Sequence, residues 1–209
     1  MIVRTSEDLV ALDFSKGGGL VPVVAQHATT GEVLMLGYAD CAAVERTLAE
    51  GVLCFHSRSR ERLWKKGETS GNELRVVALH TDCDGDALLA RVVPAGPTCH
   101  TGARSCFGAP PTLLALADVI ERRAEEPDGG GYTRALLRDA NLRAKKLGEE
   151  AVELALACVA GEAAAAAEEA ADLVYHALVA ARAAGAPLEA VLAVLEGRRG
   201  EDPEGAPPA

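Results

Sequence analysis

Pro110-Pro111-Thr112-Leu113-Leu114-Ala115-Leu116-Ala117-Asp118-Val119-Ile120 is the stretch that decides the fold. From Leu113 onward the apolar residues Leu113, Leu116, Ala117 and Ile120 recur at three- and four-residue spacing, the signature of one helix face. The two prolines just ahead separate that pattern from everything before it. Toward the C-terminus, helices are expected at about 133–160, 162–184 and 187–199, broken by Gly161 and by Gly185-Ala186-Pro187. Tyr132-Thr133 looks like a helix start with Thr133 as N-cap, and a loose tail is expected from about Gly200. Toward the N-terminus, apolar runs at 20–25, 52–55, 74–79 and 87–93 lie between Gly, Asp and Pro. They read as strands of a mainly antiparallel sheet, with one helix near Ala39–Glu50. The expected architecture is multidomain: a mainly antiparallel β (α+β) domain over 1–110 and an all-α helical bundle over 111–209.

The 209 residues leave room for two small domains, and 49% hydrophobic with 25% charged content is ordinary for a globular protein. The net charge of −10 is unevenly spread, with 11 basic and 13 acidic side chains in 1–110 against 10 and 18 in 111–209. Such an acidic balance argues against a nucleic-acid partner. No window approaches 18 uninterrupted apolar residues, and Met1–Asp8 lacks a basic segment followed by an apolar one. A cytoplasmic protein without signal peptide or membrane span is therefore expected. In that reducing setting the six cysteines are better weighed as metal ligands or catalytic thiols than as a disulfide framework.

The densest chemistry is His80-Thr81-Asp82-Cys83-Asp84-Gly85-Asp86, followed by Cys99-His100-Thr101-Gly102 and Ser105-Cys106-Phe107. If 82–86 is extended, Asp82, Asp84 and Asp86 share one face and Cys83 takes the other. Three carboxylates on one face suit Mg²⁺, although a solvated acidic turn explains them equally well. An EF-hand is excluded, because Ala87 stands at its sixth position and Val93 at its twelfth. Cys83, Cys99 and Cys106 are either inert core thiols or a three-thiolate zinc site open to water. The segment Ser57–Asn72 concentrates five basic residues, the only Trp and a Thr-Ser-Gly-Asn loop. Either it is a charged surface strand and loop, or Arg58, Arg60, Lys66, Thr69 and Ser70 hold phosphate and Trp64 stacks on a base.

In the C-terminal half, Glu150 and Glu153 share one helix face and Glu169 and Asp172 another, with Glu149 and Glu168 beside them. Two such helices packed antiparallel about Gly161 bring the carboxylates together, where a divalent cation would offset their repulsion. The plainer reading is a pair of acidic, solvent-facing stripes with Lys145 and Lys146 as helical partners. His176 is read as a partly buried or surface histidine rather than a ligand.

These residues resemble a known family. Leu20–Gln26, Gly31–Leu36, Ser57–Arg60, Leu63–Asn72, Asp82–Asp86 and Cys99–Gly102 look like phosphoribosyl-AMP cyclohydrolase. Tyr132-Thr133, Lys146–Glu153 and Glu169–His176 look like phosphoribosyl-ATP pyrophosphatase, in the order found in the bifunctional histidine-biosynthesis enzymes. The resemblance implies a cyclohydrolase domain over 1–110 and a pyrophosphatase domain over 111–209. It further implies a homodimer acting on small phosphoribosyl nucleotides. Zn²⁺ would be held by Cys99, Cys106 and a Cys83 contributed across the dimer interface. Mg²⁺ would be held by Asp82, Asp84 and Asp86, and by Glu150, Glu153, Glu169 and Asp172, with Glu149 as a further candidate. Glu150 and Glu153 count as catalytic through that metal, and His100, next to Cys99, is the candidate base. Lys145, Lys146 and Arg143 could face the leaving pyrophosphate. His27, Leu74 and the Gly129–Gly131 run depart from the usual pattern at positions outside the ligand sets. The rival reading is a house-cleaning nucleotide pyrophosphatase whose front half is a zinc-stapled dimerisation module.

Overall fold

The computed structural model describes residues 1–125 and 130–199 and divides into two compact units, Met1–Pro111 and Thr112–Ala209. Gly129 and the tail expected from Gly200 lie outside the described residues.

In the first unit, β1 (Ile2–Val3), β2 (Val21–His27), β3 (Val33–Ala39), β6 (Leu74–Thr81) and β7 (Leu88–Pro94) form one sheet in the order β1-β6-β7-β2-β3. A 3-10 helix spans Ser6–Ala11, helix α1 spans Cys41–Glu50, and β4 (Cys54–Ser57) pairs with β5 (Arg62–Lys65) in a separate ribbon. The expectation of a mainly antiparallel sheet holds with one qualification: β2 and β7 run parallel, Val23 opposite Leu88 through His27 opposite Val92. Alternation is clear along β2 and β7. Val21, Val23 and Ala25, and Leu88, Ala90 and Val92, are buried, while the residues between them are less so.

Phe55, Leu34, Leu53 and Val44 fill the space against that face. Asp40 caps α1 by accepting from the Ala43 amide at 2.8 Å. The buried Thr47 hydroxyl accepts from Cys54 N at 2.9 Å, tying α1 to β4. The run beginning at Val52 enters strand pairing later than its apolar start implied: Val52 makes only an isolated bridge to Arg75.

The second unit holds α2 (Thr112–Glu125), α3 (Tyr132–Arg138), α4 (Ala140–Ala160), α5 (Ala163–Ala183) and α6 (Leu188–Arg199). The helix expected over 133–160 is in fact two. Asp139 leaves the helical region at φ −104°, ψ 106°, and its carboxylate accepts from Asn141 N and Leu142 N at 2.9 and 3.0 Å. A competing side-chain cap of this kind interrupts an otherwise continuous apolar period. Arg143 secures the break by donating to the Leu136 and Leu137 carbonyls that end α3. Thr133 is not the N-cap; Gly131 is, and the Thr133 hydroxyl instead pairs with Tyr175 Oη at 2.8 Å. The two-residue link Gly161-Glu162, its glycine in the left-handed region at φ 73°, folds α5 back along α4. Ile120, Leu136 and Val179 form the buried centre, flanked by Leu116, Leu142 and Leu178.

Candidate functional site

A cavity of about 740 Å³ opens in the first unit. Cys99, His100 and Cys106 line one side, and Trp64, Lys66, Thr69 and Ser70 line another. Arg60 reaches it from the turn between β4 and β5, with Ser57 and Ser59 beside it. Trp64 also packs on Phe55, ring centroids 5.1 Å apart, so its position is fixed by the core. Arg58 is not among the lining residues. It stands in the turn that follows β4, and its guanidinium lies over the Tyr38 ring, 3.9 Å from the centroid. The phosphate role expected for Arg58 therefore has no support from its placement.

The two cavity thiols differ. Cys99 is held below the ordinary thiol range, first by the Thr101 hydroxyl, which donates to its sulfur at 3.2 Å, then by the Thr101 amide and the Cys106 thiol. Burial pushes Cys106 up. Cys99 is thus the more readily deprotonated of the pair. Lys66 is 8% exposed, and burial lowers its pKa while the two nearby sulfurs oppose that effect. Two adjoining sulfurs, one more readily deprotonated than the other, suit a soft divalent ion. Cys83 is exposed elsewhere and does not line the cavity, so one chain does not bring the three expected thiols together.

Asp82, Asp84 and Asp86 do converge, with ligand oxygens within 4.8 Å of one another, but not by strand alternation. Residues after Thr81 leave β6 and bend into a loop. There the Asp82 carboxylate accepts from Asp86 N and Ala87 N at 3.0 and 3.2 Å. Gly85 makes the bend possible. It sits at φ +75°, its carbonyl accepts from Asp13 N at 2.7 Å, and a Cβ there would collide with the Ala11 carbonyl. Lys16 bridges the loop, 2.6 Å from Asp84 and 3.4 Å from Asp86, and holds Asp84 below the usual carboxylate range. The sequence carries no local sign of this, since Lys16 lies 68 residues away from Asp84.

In the second unit Glu150, Glu169 and Asp172 present oxygens within 4.8 Å of one another across the α4–α5 hairpin. Burial, then the carboxylates of Glu153, Glu150, Asp172 and Glu168, push Glu169 above the ordinary carboxylate range. Glu153 belongs to this field without joining the tight trio. Like charges gathered this closely are the donor set a hard divalent cation fits. Glu149 is engaged otherwise, paired to Lys145 and Lys146 at 3.2 and 3.0 Å, which hold its carboxyl low. Lys146 also reaches Glu150 at 3.3 Å. Arg143 Nη1 donates to the carbonyls that end α3. His176 is buried with Nε2 3.7 Å from Glu150 and 3.4 Å from Tyr132 Oη, a neighbourhood that four-residue spacing from Asp172 did not announce.

The family comparisons divide the chain as the structure does. Residues 35–108 match the model described as phosphoribosyl-AMP cyclohydrolase, and 113–199 match phosphoribosyl-ATP pyrophosphohydrolase. The chain is 47% identical, over 94% of its length and 97% of the relative's, to the histidine biosynthesis bifunctional protein HisIE of Xanthomonas axonopodis pv. citri. It is 47% identical to HisIE of Shewanella oneidensis over 84% of this chain and 85% of that one. With HisIE of Staphylococcus aureus it shares 43% identity over 90% of each. Likeness of this extent, running through both units at once, establishes that the chain belongs to the HisIE family of bifunctional histidine-biosynthesis proteins.

Proposed function

We propose that the C-terminal unit hydrolyses phosphoribosyl-ATP to phosphoribosyl-AMP and pyrophosphate. The N-terminal unit then adds water across the N1–C6 bond of the purine and opens its six-membered ring. The observation that carries this reading is the pairing of two chemically unlike centres, a thiol-lined cavity in one unit and a carboxylate cluster in the other. The rival reading, a pyrophosphatase with an inert front module, gives no reason for a cavity of this size or for the cyclohydrolase match.

In the first unit Cys99 and Cys106, joined by Cys83 of a second copy, would hold Zn²⁺. When bound, the zinc makes a water molecule easier to deprotonate. Arg60, Lys66, Thr69 and Ser70, which line the cavity, would hold the nucleotide phosphate, and Trp64, lining it too, would meet the purine. His100, beside Cys99, takes a proton from the attacking water, and the N1 leaving nitrogen receives one as the ring opens. The thiol pair is fixed by the loop, so the base needs only a short reach. Asp82, Asp84 and Asp86 would hold Mg²⁺ on their own loop.

In the second unit Glu150, Glu169 and Asp172, with Glu153 in support, would hold Mg²⁺, which spreads the charge of the triphosphate. Lys146 sits beside Glu150 and can follow the charge that moves onto pyrophosphate. Tyr132 and Tyr175, stacked 6.4 Å apart next to His176, wall the same end of the hairpin. A homodimer is supported by exposed apolar residues: Val152, Leu156 and Val159 along α4, and Val77 and Val93 on the sheet. Six unpaired cysteines suit a cytoplasmic setting, and among the described residues no single helix is long and apolar enough to cross a membrane.

The test separates the centres. Glu150→Gln should lower pyrophosphate release at least about a hundredfold while sparing ring opening of added phosphoribosyl-AMP. Cys99→Ala should do the reverse. Loss of both activities in either variant, or of neither, would contradict the assignment.

A further inference from the structure

The loop that carries Cys99 and Cys106 is docked onto the start of β3 by three consecutive residues. Cys106 N donates to Leu34 O at 2.8 Å, and the Ser105 hydroxyl donates to Val33 O at 2.8 Å. Arg104 Nε donates to Glu32 Oε2 at 2.7 Å. The first two are ordinary anchoring bonds. The third is not, because Glu32 is only 2% exposed, and a carboxylate in such a place needs a reason. Only the Glu32 end of the pair is buried, and an ion pair with one exposed partner adds little net stability, so fold stability alone does not explain keeping it.

Location supplies the explanation. Arg104 stands between the two thiols in sequence. Its own backbone carbonyl accepts from Thr98 N at 3.3 Å, and the neighbouring Ala103 carbonyl accepts from Cys99 N at 3.0 Å. Fixing Arg104 to the β2–β3 turn therefore fixes both arms of the loop: Cys106 two residues on, and Cys99 across the turn. Glu32 is itself held from behind, its carbonyl accepting from His27 N at 2.8 Å and its amide donating to the Thr30 hydroxyl at 3.3 Å.

We infer that Glu32 and Arg104 form a positioning pair for the thiol centre, clamping the 98–106 loop so that the Cys99 and Cys106 sulfurs face one another before a metal arrives. The inference rests on the proposed reading of these thiols as zinc ligands. Without the clamp the loop must be ordered at the moment of binding, and that cost appears as weaker affinity. Groups that orient metal ligands in this way are typically worth about 10- to 100-fold in affinity.

The experiment measures zinc affinity of the full-length chain by competition with a chromogenic chelator, beside the sulfur-to-cobalt charge-transfer absorption of the cobalt-loaded protein. Two variants are compared with the parent: Arg104→Gln, at a side chain that is 42% exposed, and the paired change Glu32→Met with Arg104→Met. Melting of the metal-free forms reports fold. Both variants should bind zinc about tenfold or more weakly and show diminished charge-transfer intensity, with Arg104→Gln retaining a cooperative melt. Affinity within about twofold of the parent in Arg104→Gln overturns the positioning role, whatever the paired variant does. Failure of the parent itself to bind zinc, or to show a sulfur-to-cobalt band, overturns the thiol-metal reading instead.

Discussion

Cys99 and Cys106 show how far two identical side chains are separated by their surroundings. The Thr101 hydroxyl lowers one pKa and burial raises the other, so in metal-free protein the thiolate appears at Cys99 first as pH rises. Alkylation followed by peptide mass spectrometry should therefore reach half its limiting rate at lower pH for Cys99 than for Cys106. The opposite order would refute the assignment. His100→Ala should cut the ring-opening kcat about a hundredfold or more and leave pyrophosphate release intact. The residue-scale chemistry was the most legible in the sequence, since Cys-His pairs and E-x-x-(E/D) repeats declare themselves by type and spacing. What stayed hidden were partners supplied from afar: Lys16 for Asp84, Glu32 for Arg104, Tyr132 for His176. Arg58 shows the converse, a residue of fitting type whose guanidinium lies on the Tyr38 ring rather than in the cavity.

Among elements, the acidic loop and the α4–α5 hairpin reach similar ends by different routes. The hairpin delivers Glu150, Glu169 and Asp172 through helical periodicity, which the sequence displays openly. The loop gathers Asp82, Asp84 and Asp86 through one left-handed glycine, whereas a period-two reading groups the same three residues by a geometry the loop does not have. Gly85→Ala should destabilise the first unit by roughly 1–3 kcal/mol, read by chemical denaturation, because it adds both a strained φ and a clash. In the second unit, Glu121 on α2 pairs with Arg182 on α5, one of its two contacts being 2.7 Å long, and that hydrogen bond holds Glu121 below the ordinary carboxylate range. A depressed carboxyl stabilises fully above its unfolded pKa, and the gain disappears as pH falls through the folded value. The melting-temperature gap between the parent and Glu121→Gln should therefore shrink from neutral pH toward about pH 3. The break at Asp139 escaped the apolar pattern because leucines stand on both sides of it, Leu136 and Leu137 before and Leu142 after, and only a cap reveals the change of helix.

For the whole molecule, two units with separate cores and separate chemistries imply that each activity survives damage to the other. Short apolar runs give way to helical spacing across Pro110-Pro111, beside the division of the structure at Pro111 and Thr112. The parallel β2–β7 pairing was not legible in the sequence, since strand order depends on contacts between residues some sixty-five positions apart. The most direct measurement mixes Glu150→Gln and Cys99→Ala proteins, each unable to complete the path alone, and follows phosphoribosyl-ATP to the ring-opened product. The account predicts that the mixture restores formation of that product with pyrophosphate released in equal amount. A mixture that stalls at phosphoribosyl-ATP, or either variant completing both steps unaided, would contradict it.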